Sequence, residues 1–134
     1  MKHYRNILIA IDGSPADEHV LDHGISLAKP LSATLHLLHV IHSHTIDQER
    51  CMREKIATQL TAYRRTITAA GVQATTIIRS GEPEEEILKE TAAHQYDLAI
   101  IGLHGHTFPE RLLYGSVSRK VREKITIPLL LVNA

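Results

Sequence analysis

The stretch ILIAIDGSP, residues 7–15, carries the first structural signal of the chain. Its apolar part, Ile7–Ile11, is unbroken, which is typical of a strand buried on both faces of a parallel sheet. Asp12 and Gly13 then favour a turn, and Ser14 can cap a helix whose first position is Pro15. The stretch therefore predicts a buried strand that leads directly into a helix.

Four further segments have the character of strands. Three are apolar almost throughout, and the other is more polar. They are Leu35–Ile41, Leu98–Ile101 and Ile127–Val132, with the polar segment at Val72–Arg79.

Segments with helical periodicity separate these strands. Helix one has Val20, Leu21, Ile25 and Ala28 on one face, and helix two, from about Asp47 to before Gly71, has Met52, Ile56, Leu60, Tyr63 and Ile67. Helix three opens at Pro83, and the glutamates that follow complement the positive end of a helix dipole. Helix four is predicted from Ser116 to near Lys124.

The alternation of strands and helices predicts an α/β fold, with a five-stranded parallel sheet covered by helices on both faces. A doubly wound strand order of 3-2-1-4-5 suits it, because the polar third strand then lies at an edge. Residues 1–134 form one domain in this interpretation. The order reverses between strands one and four, so a ligand crevice is expected at their carboxyl ends, which are Asp12 and Gly102.

Composition restricts the class of protein. Fifteen basic and fifteen acidic side chains cancel in the 134 residues, so no overall positive field favours nucleic acid or an anionic membrane. The first apolar run is too short for a signal peptide or a membrane span. The single cysteine, Cys51, cannot form an internal disulfide, and a reducing cytoplasm is the expected location.

The segment GLHGHTFPERLLYGSVSRK, residues 102–120, begins at the predicted crevice and ends in helix four. Glycines let backbone N–H groups approach an anion closely, and a helix start adds unpaired N–H groups. The segment fits neither the P-loop pattern nor the dinucleotide fingerprint. Its spacing is G-x2-G-x9-G-S, formed by Gly102, Gly105, Gly115 and Ser116.

With this spacing, the chain resembles the nucleotide-binding members of the universal stress protein family. The similarity extends through NILIAIDGS, LHLLHVI, SGEPEEEIL, YDLAIIGLHGHT and IPLLLV. The resemblance implies that the chain binds ATP, with Mg²⁺ bridging the phosphates. It also implies that Ile11, Asp12 and Val40 lie near the adenine and Gly102 near the ribose, and that Gly105, Gly115, Ser116, Val117 and Ser118 hold the phosphates.

Plainer interpretations exist for the same residues. The glycines and Ser116 can form a surface connection to a capped helix, Asp12 can be a turn residue, and Val40 can belong only to the core. The histidines of HVIHSH, residues 39–44, are expected to be exposed or hydrogen bonded instead of forming a metal site. ATP hydrolysis, where it occurs, is expected to be slow, because the loop lacks a P-loop lysine.

The final strand, Ile127–Val132, predicts a partner, because an exposed apolar edge strand is an aggregation hazard. A second copy pairing through this strand is the economical solution, and the family resemblance also implies homodimers. The leading hypothesis is a cytoplasmic, homodimeric, ATP-binding switch or sensor in the stress response. The alternatives are a dimeric interaction module that binds no nucleotide and a slow ATPase.

Overall fold

In the computed structural model, residues 3–103 and 118–133 are described. They form β1 (Asn6–Ala10), α1 (Asp17–Leu31), β2 (Thr34–Ile41), α2 (Ile46–Ala69), β3 (Gln73–Ser80), α3 (Pro83–Ala93), β4 (Leu98–Leu103) and β5 (Leu129–Asn133). A fourth helix, α4, includes residues 118–124.

The five strands form one parallel sheet in the order β3-β2-β1-β4-β5, which confirms the predicted fold. The register pairs Ala10 of β1 with Leu38 on one side and with Ile101 on the other. The order reverses at β1, so the carboxyl ends of β1 and β4 lie side by side where the next connections diverge.

Two apolar layers cover the sheet. On one face, Ile7 and Ile9 of β1 pack with residues of α1 and α2, such as Val20 and Leu60. On the other face, Leu8 packs with residues of α3 and α4. Alternate residues of β1 therefore supply both layers, which explains why this strand is apolar from Ile7 to Ala10.

Helix α2 follows its predicted pattern. Thr45, one residue before the helix begins, is the N-cap, and its side chain accepts a hydrogen bond from the Gln48 N–H. The helix ends before Gly71, whose φ of 89° lies in the left-handed region that glycine adopts most easily. Ile56 and Leu60 are buried on the predicted face.

The predicted start of α1 is wrong. The helix begins at Asp17 instead of Pro15, and Ser14 does not cap it, because the N-cap is Ala16 without a side-chain hydrogen bond. The Ser14 N–H instead donates to Asp12 Oδ1, at 2.9 Å, and the Asp17 N–H donates to the Ser14 carbonyl. An additional turn therefore separates Asp12 from the helix.

The ends of the last elements differ from prediction in smaller ways. Strand β5 begins at Leu129, two residues after Ile127, because Pro128 lies before the strand and has no N–H to donate to a ladder. The described part of α4 ends at Lys124, as predicted, and its predicted start at Ser116 lies outside the described residues.

Candidate functional site

The turn after β1 is held by the carboxyl group of Asp17, the first residue of α1. Asp17 is completely buried, although it belongs to a residue type that is normally exposed. Its Oδ1 accepts the Asp12 N–H at 3.2 Å, and its Oδ2 accepts the Gly13 N–H at 2.9 Å. One side chain thus fixes two successive backbone groups at the end of the strand.

Two side chains from α2 complete this arrangement. Tyr63 donates its hydroxyl hydrogen to Asp17 Oδ2 at 3.1 Å. Gln59 Nε2 donates to the Tyr63 hydroxyl at 2.7 Å and to the Gly13 carbonyl at 3.1 Å. Gly13 is therefore held through both its N–H and its carbonyl, at a φ of 85° that a residue with a Cβ rarely adopts. We call Asp12, Gly13, Asp17, Gln59 and Tyr63 the turn cluster.

Charge at the turn cluster is unusual because two carboxyl groups meet there. Burial, and next the negative charge of Asp12, raise the pKa of Asp17 to about 7. A hydrogen bond between the two side chains contributes in the same direction, whereas the bond from Asp12 N–H and that from Tyr63 oppose it. Burial and the charge of Asp17 also raise the pKa of Tyr63, which remains the hydrogen donor.

The carboxyl ends of β2 and β4 lie on either side of β1, where the sequence predicted a crevice. Ile11 is buried, its N–H donates to the Leu38 carbonyl, and its own carbonyl accepts a hydrogen from His39 Nδ1 at 3.0 Å. Burial lowers the pKa of His39, although the bond to the Ile11 carbonyl opposes the shift. Val40 is half-buried and lies two residues beyond Leu38, which pairs with Ala10 of β1.

The structure therefore brings together several residues that the sequence predicted. Ile11, Asp12 and Val40 lie at the carboxyl ends of β1 and β2, and Gly102 is buried in β4, opposite Val132 of β5. Ser118 is buried in α4. Gly105, Gly115, Ser116 and Val117 lie outside the described residues.

Three participants were missed by sequence reasoning. Asp17 was given no role at the site, and Tyr63 was placed only on the buried face of helix two. Gln59 was not considered. The signal available was Tyr63, since a tyrosine on a buried face needs a partner for its hydroxyl.

The histidines after β2 are partly exposed and have polar partners. The strand ends at Ile41, but the rings of His42 and His44 still lie 5.5 Å apart, and His42 Nε2 is 3.2 Å from Glu82 Oε1. Within residues 3–103 and 118–133, no group of three or more metal-ligating side chains lies close enough to hold an ion.

At this strand end, Asp12 offers a carboxylate acceptor whose Oδ1 is held by the Ser14 N–H. Val40, at the end of the neighbouring strand, offers half-buried apolar surface. An apolar wall with one oriented acceptor is suited to a flat ring that carries hydrogen-bond donors. None of the helices in the described part of the chain is long and apolar enough to cross a membrane.

Comparison with known proteins gives a consistent picture. The model of the universal stress protein family matches residues 3–133. Universal stress protein YxiE of Bacillus subtilis is 32% identical, over 97% of this chain and 99% of its own length.

Among solved structures, hypothetical protein MJ0577 superposes with a TM-score of 0.83 at 28% identity, covering 99% of this chain and 98% of that one. A universal stress protein in complex with cAMP has a TM-score of 0.79 at 22% identity, covering 98% of both chains. One from Archaeoglobus fulgidus in complex with dAMP has a TM-score of 0.74 at 19% identity, covering 98% of this chain and 99% of that one. These last two share the fold.

Proposed function

The chain belongs to the universal stress protein family, and from this premise we propose that it binds an adenine nucleotide, ATP with Mg²⁺, as a nucleotide-dependent switch or sensor. The observation that carries the proposal is the fixed Asp12 turn at the point where the strand order reverses. In open α/β sheets, ligands bind at such reversals, outside the carboxyl ends of the strands.

The described residues fit the adenosine end of such a ligand. Asp12 supplies an acceptor for an amino or hydroxyl group, and Val40 supplies apolar surface for the base. Gly102 has no side chain to obstruct a ribose beside β4. The adenine nucleotides bound by two proteins of the same fold, cAMP and dAMP, support a ligand of this class.

The phosphates would be held by Gly105, Gly115, Ser116 and Val117, together with Ser118, the first described residue of α4. When bound, Mg²⁺ would neutralise charge between phosphate oxygens and keep several of its waters, as this ion usually does. Bound phosphates and Mg²⁺ would change the charge presented beside Ser118. That change is what the proposed switch would present to a partner.

Thermal unfolding with and without Mg-ATP tests the proposal. Ligand at about 100 times its Kd adds about 2.7 kcal/mol to the free energy of unfolding. For a domain of this size, the gain should raise the melting temperature by roughly 10 °C. Mg-GTP is the control for base recognition, and the variant Gly115→Val/Ser116→Val is the control for the phosphate segment.

A rise specific to the adenine nucleotide and absent from the double variant is expected. Equal responses to ATP and GTP would argue against adenine recognition. If the melting temperature does not respond, mass spectrometry of the denatured protein would test for co-purified nucleotide. A protein that carries no nucleotide would contradict the proposal. The crevice would then favour the alternative of an interaction module without nucleotide.

The proposed protein is a cytoplasmic homodimer. Its exposed free thiol, Cys51, suits a reducing compartment. Strand β5 is an edge of the sheet and exposes Leu130, so a second copy pairing there would cover both apolar surface and unpaired backbone groups.

A further inference from the structure

Two histidines of α1 lie next to each other, outside the candidate site. His19 and His23 are four residues apart, so they lie one turn apart on the same side of the helix. Both residues are exposed, and the centres of their rings are 4.8 Å apart. The helix therefore presents two imidazole rings side by side to solvent, and we call them the α1 histidine pair.

The separation of the rings matches that of two imidazoles bound to one metal ion. A ligating nitrogen lies about 2.0–2.1 Å from the ion, which places the centre of its ring roughly 3.2 Å from the ion. Two rings at neighbouring positions of a square or tetrahedral ion then have centres roughly 4.5–5.2 Å apart. The α1 histidine pair lies within this range, and its exposed side chains can turn their nitrogens toward an ion.

Charge near the α1 histidine pair also favours a cation. The pair lies within the first two turns of α1, where the positive end of the helix dipole opposes a cation. Glu18 and Asp22 are exposed acids, and each directly precedes one of the two histidines in the sequence. Their negative charges offset the helix dipole and raise the local concentration of cations.

Two ligands do not enclose an ion, so the site would be an open one. In residues 3–103 and 118–133, no group of three or more ligating side chains could hold a metal, and water would therefore complete the coordination. Imidazole nitrogen suits copper, nickel and zinc ions, whereas Mg²⁺ prefers oxygen ligands. Cu²⁺ binds most strongly among the divalent ions of this series, and it accepts a square arrangement of nitrogen and oxygen.

We propose that His19 and His23 form a surface site for a divalent transition-metal ion, with Cu²⁺ bound most strongly. The second imidazole binds intramolecularly once the first has bound, which can raise the affinity by about 10²–10⁴-fold over a single histidine. The ion would join the first two turns of α1, a helix whose N-cap, Ala16, makes no side-chain hydrogen bond. The site is distinct from the Mg²⁺ of the proposed function.

Calorimetric titration with Cu²⁺ tests the site, with glycine as a competing ligand and at about pH 7.5, because protons compete with metal ions for imidazole. Every protein carries His3→Gln, so that this exposed histidine near the amino terminus does not compete for the ion. The protein with this change alone is the parent. We expect the parent to bind one Cu²⁺ per chain, with an affinity about a hundredfold lower after His19→Gln or His23→Gln. Ni²⁺ and Zn²⁺ should bind the parent more weakly than Cu²⁺ does.

Two controls separate the geometry of the pair from the number of histidines. Adding Ser26→His to the His23→Gln protein restores that number, but the two histidines are then seven residues apart, or roughly 10 Å along the helix. This protein should bind as weakly as His23→Gln. His42→Gln disrupts the other exposed pair, whose ring centres are 5.5 Å apart and in which His42 already contacts Glu82, so its affinity should equal that of the parent. Each change is at an exposed position, and glutamine forms helices well, so the fold should be kept.

Equal affinities of the parent and His19→Gln would overturn the proposal, and so would tight binding by the protein with separated histidines. Loss of binding in His42→Gln would place the ion at the end of β2 and would also overturn it. Electron paramagnetic resonance of bound Cu²⁺ provides an independent test, because the parent should show two imidazole nitrogens and His23→Gln only one. No nucleotide is present in these measurements, so their outcome does not depend on the proposed function.

Discussion

Gly24 lies in the middle of α1 and faces Ile9 of β1. A glycine inside a helix costs about 0.5–1 kcal/mol relative to alanine, so its presence needs a reason. Packing supplies one, because a Cβ at this position would lie 2.4 Å from Cδ1 of Ile9, which is fully buried. The absence of a side chain at Gly24 thus leaves room for Ile9 and lets α1 pack closely on the sheet.

We predict that Gly24→Ala and Ile9→Val are strongly non-additive. Gly24→Ala alone should destabilise the protein by about 1 kcal/mol, because the strain of overpacking exceeds the gain in helix propensity. In the Ile9→Val background, which lacks the obstructing methyl group, the same change should be neutral or stabilising. Urea unfolding of the four proteins measures the coupling, and equal effects of Gly24→Ala in both backgrounds would disprove it.

At the scale of single elements, α3 is attached to the sheet through ionic contacts as well as apolar ones. Arg79 of β3 donates from Nε to Glu86 Oε1 and from Nη1 to Glu90 Oε1, both at 2.9 Å. Tyr96 donates to the second oxygen of Glu90 at 2.6 Å. Both glutamates are buried, so each depends on these partners.

Arg79→Met should therefore destabilise the protein by about 2–4 kcal/mol, because it removes the cation that bonds to both buried carboxylates and leaves Glu86 only the more exposed Lys89. The hydrogen bond from Arg79, and next that from Lys89, lower the pKa of Glu86. The stabilisation is present above the ordinary pKa of a glutamate and is lost as the pH falls through the lowered value. The cost of the substitution should accordingly decrease in acid, as followed by urea unfolding.

Arg53→Met is the matched control for this prediction. Arg53 also bonds to a glutamate and a second group, Glu49 and Ser80, but its side chain is 45% exposed. Exposed pairs contribute less than about 1 kcal/mol, so this substitution should have a small effect. Comparable losses in the two variants would show that burial does not determine the strength of the Arg79 contacts.

How far the sequence predicts the elements depends on the range of the interactions that form them. The strands and α2 were predicted because burial on a sheet or helix face repeats along the chain, as in Ile7–Ile11. The start of α1 was not predicted, because the turn cluster that shapes it includes Gln59 and Tyr63. Each lies 46 residues beyond the residue to which it bonds, which is Gly13 for Gln59 and Asp17 for Tyr63. Local rules gave Ser14 a capping role, whereas its hydroxyl is buried without a partner among the described residues.

For the whole molecule, the order of the strands determines where the site can lie. Only an order that reverses at β1 brings Asp12 and Gly102 to adjacent strand ends, and the sequence predicted this from one polar strand, β3. The positions of Asp12 and Gly102 were therefore predictable from the strand order, whereas Val40 was predicted only from the family resemblance. The role of the Asp17 carboxyl group was not predictable, because its bonds to the N–H groups of Asp12 and Gly13 form only when the turn has folded.

The remaining edge of the sheet leads to a prediction about assembly. Strand β5 bonds to β4 on one side, and Leu130 of β5 is 37% exposed. If a second copy pairs along this strand, Leu130→Lys should place a charge in the interface and convert the dimer to a monomer. Sedimentation at micromolar concentration measures the change.

Leu31→Lys is the control, because Leu31 is equally apolar, 45% exposed and located at the end of α1, so this variant should remain dimeric. If the natural protein sediments as a monomer, β5 is an open edge of the sheet. The short length of the strand, five residues, must then be enough to limit aggregation.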